Sequence, residues 1–157
     1  MGRHTRNEKR VYTTADIKRL GINRELNAKY EREKYLPPAS IETAPGPWRP
    51  ALYSEGDLIA RVLMKRLTSR GLSLKVASWI LWNARFIGEA FDQGELEGYR
   101  YMAFPVADKK RLNPKADPGS QPFSEWAELD ELYKHSKHDT FIVLDIEKIR
   151  KEVKRLE

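Results

Sequence analysis

VYTTADIKRLGI, residues 11–22, opens the stretch that decides the fold. It continues as NRELNAKYEREKYLPP (23–38), a Pro/Gly-rich run ending WRPALYS (48–54), and EGDLIARVLMKRLTSRGLSLKVASWIL (55–81). Thr13 or Thr14 caps a short helix over about Thr14–Leu20, with Asp16 in its first turn, where a carboxylate favours the positive end of the dipole. Gly21 supplies the left-handed residue that ends it. Asn23 caps a second helix over about Arg24–Lys34, anchored by Leu26 and Tyr30 four residues apart. Pro37 and Pro38 forbid its continuation. Ser40–Thr43 and Arg49–Tyr53 flank a turn and can pair as a two-stranded wing, a pairing that Pro47 and Pro50 weaken. The order is that of a winged helix-turn-helix.

Further along, Ser54 and Asp57 form a capping box ahead of an apolar stripe of Leu58, Ile59, Val62, Leu63 and Leu67, and Gly71 closes that helix. Ser73 caps another helix through about Phe91. It has two apolar faces: Val76, Ala77, Ile80, Leu81 and Ala84 on one, Trp79, Trp82 and Phe86 on the other. Both must be buried, and the aromatic face is expected to meet a second copy of the chain or the C-terminal region.

Charge divides along the same line. Residues 1–85 hold 17 Lys/Arg and 8 Asp/Glu (17 − 8 = +9), whereas residues 86–157 hold 12 and 15 (12 − 15 = −3). The overall +6 therefore averages a basic half and a mildly acidic one, as expected of a polyanion-binding unit followed by something else. Residues 1–10, with Arg3, His4, Arg6, Lys9 and Arg10, read as a basic flexible arm.

The remainder, 92–157, reads as a small β-α-β-α interaction or dimerisation region. Tyr99–Val106 is a strand with Pro105 marking an edge or end, and 107–122 is a long loop. Ser124 caps a helix carrying Trp126, Leu129, Leu132 and Tyr133. Phe141–Ile146 is the strongest strand signal, and Asp145 starts a final helix with Ile146, Ile149, Val153 and Leu156 in register. Two strands bury little by themselves, so Phe141 and Val143 join Trp79, Trp82 and Phe86 as expected dimer or interaction residues. The predicted class is thus mainly α with small β: a basic arm (1–10), a winged helix-turn-helix with its following helix (11–91), and the small α/β region (92–157).

Composition excludes several chemistries. The 157 residues include no cysteine, which rules out disulfides and thiolate metal sites. Charged residues make up 33% and mean hydropathy is −0.69, so a soluble, cytoplasmic protein without membrane association is expected. His135, His138 and Asp139 lack further identifiable ligands for a metal site. Glu125, Glu128, Asp130 and Glu131 read as a solvated helix face. No phosphate-cradling loop or nucleophile arrangement is visible, so neither a cofactor nor enzymatic activity is expected.

Residues 11–82 resemble the DNA-binding domain of the MerR family of bacterial regulators. The matching fragments are Tyr12-Thr13, Leu20-Gly21-Ile22, Tyr30-Glu31, Leu36-Pro37-Pro38-Ala39, Arg49, Tyr53-Ser54, Asp57-Leu58 and Gly71-Leu72-Ser73-Leu74, all in order. The resemblance implies a dimer on a near-palindromic site of double-stranded DNA, deformed on binding. It makes Arg24, Asn27 and Lys29 the base-reading candidates, with Tyr30 positioning the helix. Thr13, Arg19, Arg32 and Arg49 are the implied phosphate contacts, with Trp48 against the sugar backbone. A regulator of this kind also implies contact with RNA polymerase. The chain departs from the family where Glu25 and Ala28 replace arginines, Lys29 an aromatic residue and Lys34 a glycine. Pro50 and Ala51 lengthen the wing, and no single long coiled-coil helix follows. The expected function is a sequence-specific transcriptional regulator. The alternatives are an architectural DNA-binding protein of excisionase or phage-packaging type, or a non-catalytic protein–protein adaptor.

Overall fold

The computed structural model describes residues 10–41, 49–106, 121–136 and 139–156, with only the backbone of 82–86. Its elements are α1 (Thr14–Arg19), α2 (Arg24–Arg32), α3 (Glu55–Ser69), α4 (Leu74–Gln93), β1 (Tyr101–Pro105), β2 (Gln121–Phe123), α5 (Trp126–His135), β3 (Phe141–Asp145) and α6 (Ile146–Lys154). The class is mainly α with a small antiparallel sheet, as the sequence patterning predicts. No helix among the described residues is long and apolar enough to cross a membrane.

Local chemistry sets the helix ends. The Asp16 carboxylate accepts from the Thr13 N–H at 2.9 Å, and the Asn23 side chain accepts from the Leu26 N–H at 2.7 Å, so orphan donors near both N-termini are satisfied. Between the helices Gly21 adopts φ +82°, and a Cβ there would lie 2.3 Å from Lys65 Nζ. That ammonium donates to the Gly21 carbonyl at 3.0 Å, fastening the turn to α3. Helix α2 stops at Arg32, two residues before the expected end. Lys34 takes φ +59°, the left-handed conformation that glycine favours. The N–H groups of Tyr35 and Leu36 then turn back onto the Tyr30 carbonyl, at 2.8 and 3.2 Å.

Helix α3 is the centre of the molecule, with Gly56 to Met64 and Leu67 all buried. The Ser54–Asp57 capping box forms as expected. Helix α4 crosses it so closely that a Cβ on Gly56 would fall 2.0 Å from the Gly88 carbonyl oxygen. The crossing is fixed by Asp92 of α4, which accepts from the Gly56 N–H at 2.9 Å. Of the expected wing, the described residues contain one antiparallel bridge, Ile41 to Leu52. Pro50 has no N–H with which to extend the ladder. A second bridge joins Tyr12 to Tyr53, tying the entry of α1 to the entry of α3.

The C-terminal region departs most from expectation. Its sheet has three strands in the order β2-β1-β3, both pairs antiparallel. Strand β2 takes in Gln121 and Pro122, the end of the 107–122 stretch expected as a loop, because Pro122 is acceptable at a sheet edge and obscures the pattern; 107–120 lie outside the described residues. Pro105 ends β1. Helix α5 is capped from Glu125, not Ser124: the Glu128 carboxylate accepts the N–H groups of both, at 3.0 and 2.6 Å. This helix buries none of its residues, and Trp126 and Tyr133 are exposed.

The tail packs against its own chain through α6. Its Ile146, Ile149 and Val153, with Leu156 just beyond its end, enter the same apolar core as Tyr12, Ile17, Leu58 and Leu63. Arg66 of α3 pairs with Glu152 of α6. Arg10 and Arg19 donate to the Leu156 carbonyl at 2.8 and 2.7 Å. Trp79 is likewise buried within this core, so it is a packing residue of the single chain and does not belong to an open dimer face. The side chains of Trp82 and Phe86 lie outside the described residues. Phe141 and Val143 are half-buried on β3, an edge strand, and Phe141 meets Tyr133 edge-on at 6.2 Å.

Candidate nucleic-acid interface

Helix α2 carries its apolar and polar anchors on one side and an open stripe on the other. Tyr30 is 1% exposed and Asn27 5%, while Arg24, Ala28 and Arg32, four residues apart along the helix, are exposed together with Glu25. Two arginines thus flank an alanine on the outward face. Arg32 lies 3.8 Å from Glu33.

The inward side is held by Arg61 of α3, whose side chain is fully buried. Its Nε donates to Asn27 Oδ1 at 2.7 Å. Nη2 donates to Glu31 Oε1 at 2.7 Å and to the Pro37 carbonyl at 3.1 Å. Nη1 donates to the Asp57 carbonyl at 3.1 Å, and the guanidinium lies 4.6 Å from the centre of the Tyr53 ring. The Tyr53 hydroxyl closes the loop, donating to Glu31 Oε1 at 2.9 Å and accepting from Asn27 Nδ2 at 3.1 Å. A buried charge is tolerable when it is paired and its donors are satisfied, and this one meets both conditions. The planar fork of arginine suits it to bridge two side chains and two carbonyls at once.

Burial raises the Tyr53 phenol above its ordinary pKa, with the Asn27 hydrogen bond acting against it and the Glu31 hydrogen bond and charge adding to it. Tyr30 is raised by the same cause, opposed by a hydrogen bond to Thr68.

Neither a protein-family model nor a curated protein matches this chain.

Asn27 is the clear correction among the expected base-reading residues. It is buried, both ends of its amide are engaged, and it supports the helix from behind. Tyr30 is also interior, consistent with a positioning residue. Arg24 remains outward and Lys29 is half-buried. Among the expected phosphate contacts, Arg32 and Arg49 are exposed. Thr13 is half-buried at the start of α1, and Arg19 is committed to the Leu156 carbonyl, with Asp16 at 3.7 Å. Trp48 lies outside the described residues.

Arg61, which holds α2 to α3, is the residue that sequence reasoning misses. Its signal is present: a single arginine within the apolar run LIARVLM (58–64) sits on a helix face that buries every neighbour. Lys65, which fastens the turn, carries no comparable signal, because a lysine at a helix surface is ordinary.

Proposed function

We propose that this chain is a sequence-specific DNA-binding transcriptional regulator, working in the cytoplasm as a homodimer on a near-palindromic site. The observation that carries the reading is the outward stripe Arg24–Ala28–Arg32 on a short helix locked to the scaffold by a buried arginine. A reading helix must present cations to a groove without yielding when it docks. Ala28 at the centre permits close approach and offers a methyl to a thymine methyl, while Arg24 and Arg32 reach to either side. The basic N-terminal half supports the same partner through counterion release. In such a regulator, RNA polymerase is a further contact.

Footprinting on a pool of random duplexes, followed by gel-shift titration at two salt concentrations, tests the proposal. Protection of two symmetric half-sites supports it, with affinity falling by a log–log slope near 0.9 per phosphate neutralised. Binding without sequence preference, or without salt dependence, counts against it.

One observation favours a second reading, an architectural DNA-binding protein of excisionase type. Helix α4 ends at Gly94, and the chain then folds back, through β1 and α6, onto the core of the N-terminal half. Among the described residues no long helix projects to join two copies. Repeated, helically phased sites occupied by single copies would distinguish this reading from a palindrome bound by a dimer.

A further inference from the structure

Charge is spread unevenly over the C-terminal half. Residues 86–145 hold 7 Lys/Arg against 12 Asp/Glu, whereas residues 146–157, α6 and its end, hold 5 against 3. A basic end thus closes the acidic half, and this end folds back onto the basic one.

Apolar burial decides what α6 shows to solvent. Ile146, Ile149 and Val153 are buried in the core shared with α1 and α3. Arg150 is committed to the Leu96 carbonyl at 3.0 Å, with its guanidinium 5.0 Å from the centre of the Phe91 ring. The opposite face carries Lys148, Lys151 and Arg155, three and four residues apart, with Lys154 beside them, all exposed. Glu147 pairs with Lys151 at 2.9 Å and Glu152 with Arg66. Neither Lys154 nor Arg155 has an ion-pair partner among the described residues.

The end of α6 lies against α1. The Leu156 carbonyl, at the negative end of the helix, accepts from Arg10 at 2.8 Å and from Arg19 at 2.7 Å. Two guanidiniums therefore offset the partial charge that would repel an anion there. Arg19 ends α1 on a side chain that is 54% exposed and keeps further N–H donors. Arg24 opens α2 just after the Gly21 turn, so the basic end of α6 stands at the approach to the outward stripe.

We propose that the end of α6 is a second DNA contact: Lys154 and Arg155, with Arg19, hold the phosphate backbone beside the stretch read by α2. This contact rests on the DNA-binding function proposed above. Cations of this kind neutralise phosphates and release their counterions but read no bases. An anionic membrane is the weaker fit, because the apolar face that an interfacial helix sinks into lipid is already in the core.

The footprinted duplex is titrated at several salt concentrations with the full chain and with the double variant Lys154→Gln/Arg155→Gln. The double variant is expected to bind several-fold more weakly, with a log–log salt slope smaller by about 1.8, two phosphates' worth. Its preference across a panel of single-base changes and its far-ultraviolet helix signal should be those of the unaltered chain. Lys154→Arg/Arg155→Lys, which keeps both charges, should bind as the unaltered chain does, and Lys134→Gln on α5 should leave the slope unchanged. An unchanged slope in the Gln double variant, or as large a fall per charge in Lys134→Gln, overturns the α6 contact and leaves the α2 reading in place. Binding to phosphatidylserine vesicles that the Gln double variant loses, at unchanged DNA affinity, overturns it in favour of a membrane. An unaltered chain that protects no duplex removes both readings together.

Discussion

Arg61 Nε and Asn27 Oδ1 meet at 2.7 Å across the junction of α3 and α2, and neither side chain has appreciable exposure. The contact makes the placement of the outward helix face depend on a buried charge. Arg61→Met keeps much of the volume but strips Asn27 Oδ1 of its donor and leaves Glu31 with the Tyr53 hydroxyl and no cation. Removing one partner of a buried ion pair costs about 3–5 kcal/mol. Urea denaturation should show a midpoint lowered accordingly at unchanged slope. A loss under about 1 kcal/mol would mean that the network is not the fastening described above.

Gly56 and Gly88 give an asymmetric prediction. A Cβ on Gly56 would lie 2.0 Å from the Gly88 carbonyl oxygen, whereas one on Gly88 would lie 3.2 Å from the Gly56 oxygen. Gly56→Ala must therefore push α3 and α4 apart and is expected to destabilise by about 1–3 kcal/mol or more. Gly88→Ala asks for a shift of a few tenths of an ångström and should cost clearly less. Thermal unfolding of the two variants side by side checks the order, and equal losses would contradict the close crossing.

The N-terminal elements are legible in the sequence because each carries its own punctuation. Thr13, Gly21, Asn23, Ser54, Gly71 and Ser73 mark ends that local chemistry sets. What stays hidden depends on distant partners. Asn27 reads as a surface amide on a charged helix, and only Arg61, arriving from α3, turns it inward. Strand β2 is three residues long with Pro122 at its centre, so alternation cannot reveal it. Helix α6 is evidently amphipathic from its sequence, but no periodicity states which surface receives its apolar stripe. For the same reason the aromatic face of α4 leaves open a second copy or the C-terminal region as its cover, and at Trp79 the single chain supplies it.

The buried phenols give a pH limit on the alkaline side. Tyr30 and Tyr53 have folded-state pKa values raised above the ordinary value of 10.0, chiefly by burial. An acid raised in the folded state holds its proton where the unfolded chain has lost it. Stability is then full below about pH 10 and falls as pH rises through the folded values. Tyrosinate absorbance from these two residues should appear together with loss of far-ultraviolet helix signal. Tyr30→Phe should remove some of this pH dependence. Titration of both phenols at the ordinary value in a folded chain would contradict their burial.

Three residues near the proposed interface separate reading from support. Arg24 is exposed on the outward stripe, Arg49 is exposed at the start of the segment leading to Tyr53, and Asn27 is interior. Arg24→Ala should relax preference at particular base pairs, by about 1–3 kcal/mol of discrimination at each. Arg49→Ala should weaken all duplexes alike and reduce the salt slope by about one phosphate. Asn27→Ala should do neither directly. It leaves Arg61 Nε and the Tyr53 hydroxyl short of a partner, so the expected effect is lower stability, with base preference retained in the folded fraction. Gel-shift titrations of the three variants against a panel of single-base changes, with unfolding curves alongside, distinguish these outcomes. Should Asn27→Ala alter base preference at unchanged stability, the amide must leave the interior to reach DNA, and the locked-helix account of the interface would fail.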